Sequence, residues 1–339
     1  MGIRRRNGRC LVVVGLLLAV ATAGCTTARK APARPAQAGL GAVAVPPRSG
    51  TFEVMGYPQL VAAGAGAVWV LCPPSPDLAG ELANQGRLLR IDPAAGVQPV
   101  MRFGGLGDGS LAVGEGAVWI TEPASASLTR YALGSGRVSV RRPFGAGRTP
   151  VLMAVGEEFV WVSLDGPRPV LAKVDPDTMK VVKAIPLASA GGVAVGAGRV
   201  WVSDPEHGLV TALHPHTGRI AGGPARVGAG TAGLAVGEGS LWVLNWDRSL
   251  LTRVDLGPGR QVSAAVPAGS DAFDFAVGVG TVWVTNRTPG TVTRIDARSG
   301  QPSGPPIRVG QAPKGIAVLA GSAWVANSGS RSVTRLSPP

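Results

Sequence analysis

Cysteine is nearly absent from this 339-residue chain: Cys10 and Cys25 fall in the first thirty positions and Cys72 stands alone in the remainder. One thiol closes no intramolecular bridge, so packing and strand pairing must hold the body together. Histidine is as scarce, at three residues, which narrows the ways to assemble an acid–base pair or a metal site. The long apolar run, Leu11–Ala23, has thirteen residues and is too short to span a bilayer as a helix. No segment sustains an apolar repeat of three to four residues, which leaves helices little to form from. G-x-S-x-G and H-E-x-x-H are missing, and with them common hydrolase and metalloprotease signatures.

What is abundant is turn-forming residues, with 50 Gly and 29 Pro. They punctuate a repeat whose clearest copy is Gly233–Leu256, GLAVGEGSLWVLNWDRSLLTRVDL. Its fixed point is a tryptophan that recurs as Trp69, Trp119, Trp161, Trp201, Trp242, Trp283 and Trp324, at separations of 50, 42, 40, 41, 41 and 41. Seven copies at a period near forty mean a stacked or radial array, in which the length serves one object.

Each copy reads as four strands: GLAVG, a tight Gly-containing hairpin, SLWVLN, a variable loop, LLTRVDL, a D-P-x-T-G turn, and a last strand such as QVSAAVP or PPIRVG. AVWVL and TVWVT do not alternate apolar with polar, so both faces of these strands are buried, as in a sheet packed between two neighbours. The tryptophans are then inter-blade core. The predicted fold is all-β, a seven-bladed β-propeller of four-stranded antiparallel blades. Its last copy stops after three strands, and the orphan segment Thr51–Met55 (TFEVM) is predicted to supply the fourth and close the ring, which removes two free edges. The V-G-x-G stretches precede strands, not helices, and so are hairpins and not a dinucleotide fingerprint.

The domains follow as 1–25, 26–50 and 51–339. Residues Met1–Cys25 have a basic start, an apolar run and small residues before Cys25, the features of an export signal. ATAGC resembles a bacterial lipobox, with Thr22 where an aliphatic residue is usual; the resemblance implies acylation of Cys25. The other reading is an ordinary secretory signal. Up to Gly50 the chain reads as a disordered Ala/Pro/Arg tether. Eight cations precede the first acid, Glu53, which leaves +5 of the net +13 on the body. No basic stripe with interleaved aromatics marks a nucleic-acid partner, and the tether cations suit anionic lipid head groups.

The motif AVGxGxVWVxNxxxxxVTRID, carried by all seven copies, resembles the YVTN/NHL-like seven-bladed β-propellers, including the virginiamycin B lyase-like group. That resemblance implies the fold; for activity it implies enzymes, binding modules and interaction platforms alike.

Function is expected on the face formed by the loops between strands two and three and between successive blades. Three residues beyond each repeat tryptophan stand Cys72, Glu122, Leu164, Asp204, Asn245, Asn286 and Asn327. They are turn formers or binding residues. Trp246, out of register, is a ligand contact or a folded-over rim residue. Asp247, Asp271, Asp274, Arg287 and Lys314 lie nearby, and the first copy carries an insertion between Pro73 and Gly86 on the same face. His207, with Asp204 and Glu206, is a weak metal-binding cluster or a solvated loop, while His214 and His216 in LHPHTG belong to turns of the opposite face. Resemblance to the lyase group implies a histidine acid–base and a divalent metal held by carboxylates, but its histidine and glutamate find no matching positions here. The expected protein is an extracytoplasmic, membrane-anchored monomer that binds a protein or small ligand without catalysis. No metal ligands are assigned, and a divalent metal is expected only if the chain is an enzyme. The alternative is a lyase or lactonase; a quinone-cofactor dehydrogenase is disfavoured, since no stacked Trp–Cys pair marks its pocket.

Overall fold

The computed structural model describes residues 50–75, 77–78, 84–104, 109–257 and 259–337. The proposed signal, Cys25 and the tether up to residue 49 lie outside the described residues. Twenty-eight strands form seven four-stranded antiparallel sheets, and no helix occurs among the described residues. Blades 1 to 6 occupy residues 60–104, 111–141, 149–186, 193–226, 231–267 and 272–308. Blade 7 takes three strands from 313–336 and its fourth from Gly50–Glu53, which pairs Gly50 with Arg335 and Glu53 with Ser332. The first strands of successive blades touch one another around the ring, blade 7 against blade 1 included. The predicted closing strand is therefore present, one residue earlier at its start and shorter at its end than Thr51–Met55.

Two glycines of the V-G-x-G hairpin have separate causes. The turn between first and second strands has two residues, both left-handed, as at Ala65 (φ 52°) and Gly66 (φ 71°). This is the turn whose twist matches that of the flanking strands, and glycine suits its second position. Blade 3 uses Glu158 there instead, at φ 69°. The glycine before the turn meets the next blade: a Cβ on Gly64 would lie 2.6 Å from Val113 Cγ1, and one on Gly196 2.8 Å from Val236.

All seven repeat tryptophans are buried between blades. In the junction of blades 4 and 5, for example, Trp201 packs with Leu234, Leu241, Val243 and Val254 of the neighbouring sheet. Five indoles donate to the carbonyl five residues back, from Trp69 Nε1 to Gly64 O (3.2 Å) through Trp242 Nε1 to Gly237 O (3.3 Å). The residue paired with the tryptophan on the third strand is a cation in six blades: Arg90, Arg130, Lys173, Arg253, Arg294 and Arg335. Arg130, Arg253 and Arg335 lie 5.3–5.9 Å over their tryptophan rings. Blade 4 has Ala212 there, and Arg260 from blade 5 fills the vacancy 5.3 Å above Trp201. These cations also reach onward: Arg253 Nη1 donates to Arg298 O in blade 6 at 2.9 Å, and Arg130 pairs with Asp177 of blade 3 at 3.9 Å.

The hairpins and the turns between third and fourth strands form one face of the ring. The remaining loops and the connections between blades form the other, so each strand-two terminus delivers its residue beyond the tryptophan to that loop face.

Candidate functional site

On the loop face, three of the seven residues three beyond the tryptophans, Asp204, Asn245 and Asn286, anchor the connection that enters their own blade. Asn245, buried, donates from Nδ2 to Ala229 O at 2.6 Å and accepts from Arg248 N at 3.0 Å. Asn286 donates to Ala268 O (3.1 Å) and accepts from Thr293 N (3.2 Å) and Oγ1 (2.8 Å). Asp204 reverses the polarity, accepting from Ser189 Oγ at 2.7 Å. Asn327 instead donates within its blade, to Ser332 Oγ and Thr334 Oγ1, at 3.3 and 2.8 Å. Glu122 accepts from Ser125 Oγ at 3.1 Å, and partial burial raises its pKa above the ordinary value. Of the two readings of this register, the turn-forming one describes Asp204 and Asn245, which accept from an N–H three residues on.

His207 Nδ1 lies 2.8 Å from Asp204 Oδ2, with the ring 62% exposed. Partial burial pushes the Asp204 carboxyl up, but bonds from Ser189 and His207 outweigh it and leave its pKa lowered. No group of three or more His, Cys, Asp or Glu side chains comes together as a cation site among the described residues. Glu206 therefore does not complete a cluster with Asp204 and His207. His214 and His216 are exposed on the hairpin face, where His216 Nδ1 stands 4.0 Å from Glu158 Oε2.

Beneath the loops lies a layer of hydroxyls that the sequence reading missed. Thr121, Ser163, Ser203 and Thr285, two residues beyond their tryptophans, each accept from a backbone N–H in the first strand or one residue before it, at 2.7–3.1 Å. Ser163 and Thr285 then donate to the next blade, at Gly191 O and Lys314 O, both at 2.8 Å. The signal was W-[VI]-[ST] in four copies. In the same layer Asp274 is buried and accepts from Ile316 N of blade 7 at 2.9 Å; desolvation pushes its pKa up to about 8.

Two aromatic side chains cross the ring. Trp246, on the blade 5 loop, packs against both the core between blades 5 and 6 and the core between blades 3 and 4. Its Nε1–H is buried without a hydrogen-bond partner. Phe273, on the first strand of blade 6, packs against the core between blades 1 and 2. Over Phe273 sits the Arg287 guanidinium, 5.3 Å from the ring centroid and held by Asp271 through Nε–Oδ2 (3.2 Å) and Nη2–Oδ1 (3.3 Å). Asp271 is lowered because the bonds from Thr288 and Arg287 exceed the opposing effect of its partial burial. Asp247 is exposed beside Gly230, and Lys314 is half-buried on the first strand of blade 7. The sequence candidates thus separate into an Asp204–His207 pair on blade 4 and an Asp271–Arg287 pair on blade 6, with aromatic groups between. The first-blade insertion falls only partly within the described residues.

No protein-family model matches the chain, and neither does any curated protein. Its fold is similar to virginiamycin B lyase from Staphylococcus aureus, at 14% identity and a TM-score of 0.69, over 86% of this chain and 99% of that one. A catalytically inactive histidine-to-alanine variant of that lyase, crystallised with quinupristin, is similar at 15% identity and a TM-score of 0.68, over 86% and 99%. AztD from Citrobacter koseri is more distant, with 15% identity, a TM-score of 0.55 and coverage of 78% and 79%. Likeness at these identities establishes the propeller fold.

Proposed function

We propose that this chain is an exported, lipid-anchored β-propeller monomer on the outer face of the cytoplasmic membrane, and that its loop face binds a ligand or protein without catalysis. The observation that carries the binding reading is the placement of Trp246 and Phe273, each packed against an inter-blade core of other blades, the second capped by a clamped Arg287. Polar groups around them, Asp271, Asp274 and Asn245 among them, are engaged in holding loops and strands together, which argues against a convergent acid–base set. No nucleic acid is expected as a partner. Incubation with quinupristin and a divalent cation, followed by mass spectrometry, tests the non-catalytic part; unchanged quinupristin is expected, and metal-dependent turnover would overturn it. Palmitate labelling tests the anchor, and Cys25→Ser should release the chain to the medium.

A lyase or lactonase is the second reading. It is favoured by the fold's likeness to virginiamycin B lyase and by the Asp204–His207 pair on the loop face. If turnover is detected, substitution of His207, Asp204 or Asp274 must reduce it; activity that survives all three excludes this reading.

A further inference from the structure

The fourth strand of blade 7 gives the ring a direction relative to whatever precedes residue 50. Gly50 lies opposite Arg335, which is itself paired with Trp324 near the hairpin end, and Glu53 lies opposite Ser332 and Asn327 at the loop end. The preceding chain therefore joins the body from the hairpin face.

That face also carries exposed aliphatic side chains. Val138, Ile220 and Val262 follow its outer turns, at 44%, 68% and 38% exposure, and Val279 stands in the blade 6 hairpin at 48%. Val279 has φ 57°, a conformation that a β-branched residue adopts only at a cost. Exposed Arg137 and Arg219 stand directly beside Val138 and Ile220. Carboxylates share this face: Glu115, Glu157, Glu158 and Glu238 sit in hairpins between first and second strands, and Asp92, Asp175, Asp177, Asp255 and Asp296 in the outer turns of blades 1, 3, 5 and 6, whereas the outer turns of blades 2 and 4, which hold Arg137 and Arg219, contain no acid. Isolated aliphatic groups beside cations suit the boundary of an anionic bilayer, where the apolar group reaches the acyl region and the guanidinium the phosphates.

We propose that the hairpin face docks on an anionic lipid surface, so that the loop face with Trp246 and Arg287 points away from the membrane. The inference rests on the lipid-anchored reading: twenty-four residues separate Cys25 from Gly50, and their junction with the body is on the docking side.

The acylated full chain, reconstituted into phosphatidylglycerol vesicles with brominated acyl chains, gives the first test. A bimane label is attached at Ile220→Cys on the hairpin face or Glu206→Cys on the loop face; Cys72 is buried and does not compete. Quenching at position 220 should exceed that at 206 by about threefold or more. Equal or reversed quenching on vesicles that hold the protein would overturn the orientation and leave the anchor intact. The second arm uses Cys25→Ser, which lacks the acyl site, sedimented with phosphatidylglycerol vesicles at low salt. Arg137→Gln and Arg219→Gln should each lower its partition about fivefold; partition that neither change affects would overturn the proposal. Absence of acyl label in the unsubstituted chain would sink the anchor reading alone, because the sedimentation arm still decides the face.

Discussion

Each blade has a hairpin half and a loop half, and the two are held by different chemistry. In the hairpin half one solution recurs: an indole buried between sheets in all seven blades, a cation over it in five, and, as at Gly64 and Gly196, a glycine where the next sheet approaches. When blade 4 lacks its own cation, Arg260 arrives from blade 5 to restore the stack. In the loop half the same mechanical task, tying an incoming connection to the second strand, is met by an amide donating to a carbonyl at Asn245 and by a carboxylate accepting a hydroxyl at Asp204. Identical geometry demands identical residues only where the contact is a packed side chain; a hydrogen bond can be made from either end. Variation on the loop half is thus partly structural, and the reach of Trp246 and Phe273 to inter-blade cores of other blades is what anchoring the loops does not explain.

The sharpest way to break this comparison is to truncate one indole in each half. Trp242→Ala should lower stability by about 3–5 kcal/mol in urea unfolding, whereas Trp246→Ala should cost far less; similar losses would show that the loop half is as dependent on packing. Asp274 offers the next largest effect. Its pKa of about 8 lies above the roughly 4 of an unfolded aspartate, so the native state holds the proton between those values and stability falls as pH rises through them. Asp274→Asn keeps an acceptor for the Ile316 N–H; it should flatten that slope and gain on the order of a few kcal/mol at pH 8. A slope that survives the substitution would mean the carboxyl is ordinary. Asn286→Ala, which leaves Ala268 O and Thr293 N unanswered, should cost about 1–3 kcal/mol. Smallest and of opposite sign, Glu158→Gly relieves a left-handed side chain and should add about 1 kcal/mol, read as a rise in melting temperature.

How much was legible follows the same division. Tryptophan spacing gave the blade count, AVWVL and TVWVT gave two-sided burial, and TFEVM gave the closing strand, because each depends on apolar pattern alone. The threonine and serine of W-[VI]-[ST] escaped notice, since a hydroxyl on a strand is compatible with either a buried bond or a solvated face. Trp246 was singled out for being out of register, but its reach from the blade 5 loop to the core between blades 3 and 4 depends on ring closure, which no local pattern encodes. Phe273 and the clamp of Arg287 by Asp271 were invisible for the same reason. Asp274 was noted as a candidate, yet only the fold reveals that the next blade removes its water.

The four-residue ladder between Gly50–Glu53 and Ser332–Leu336 joins segments about as far apart along the chain as the body allows. Synthesis makes Gly50–Glu53 before blades 1 to 6 and Ser332–Leu336 after them, so those blades can assemble while the clasp waits. Each doubling of the intervening length adds only about 0.6 kcal/mol of closure entropy, and once six blades have stacked, their curvature has already brought the two segments side by side. A chain clipped before residue 332 leaves Phe52 without Val333 as its strand partner and the ring open at its final seam.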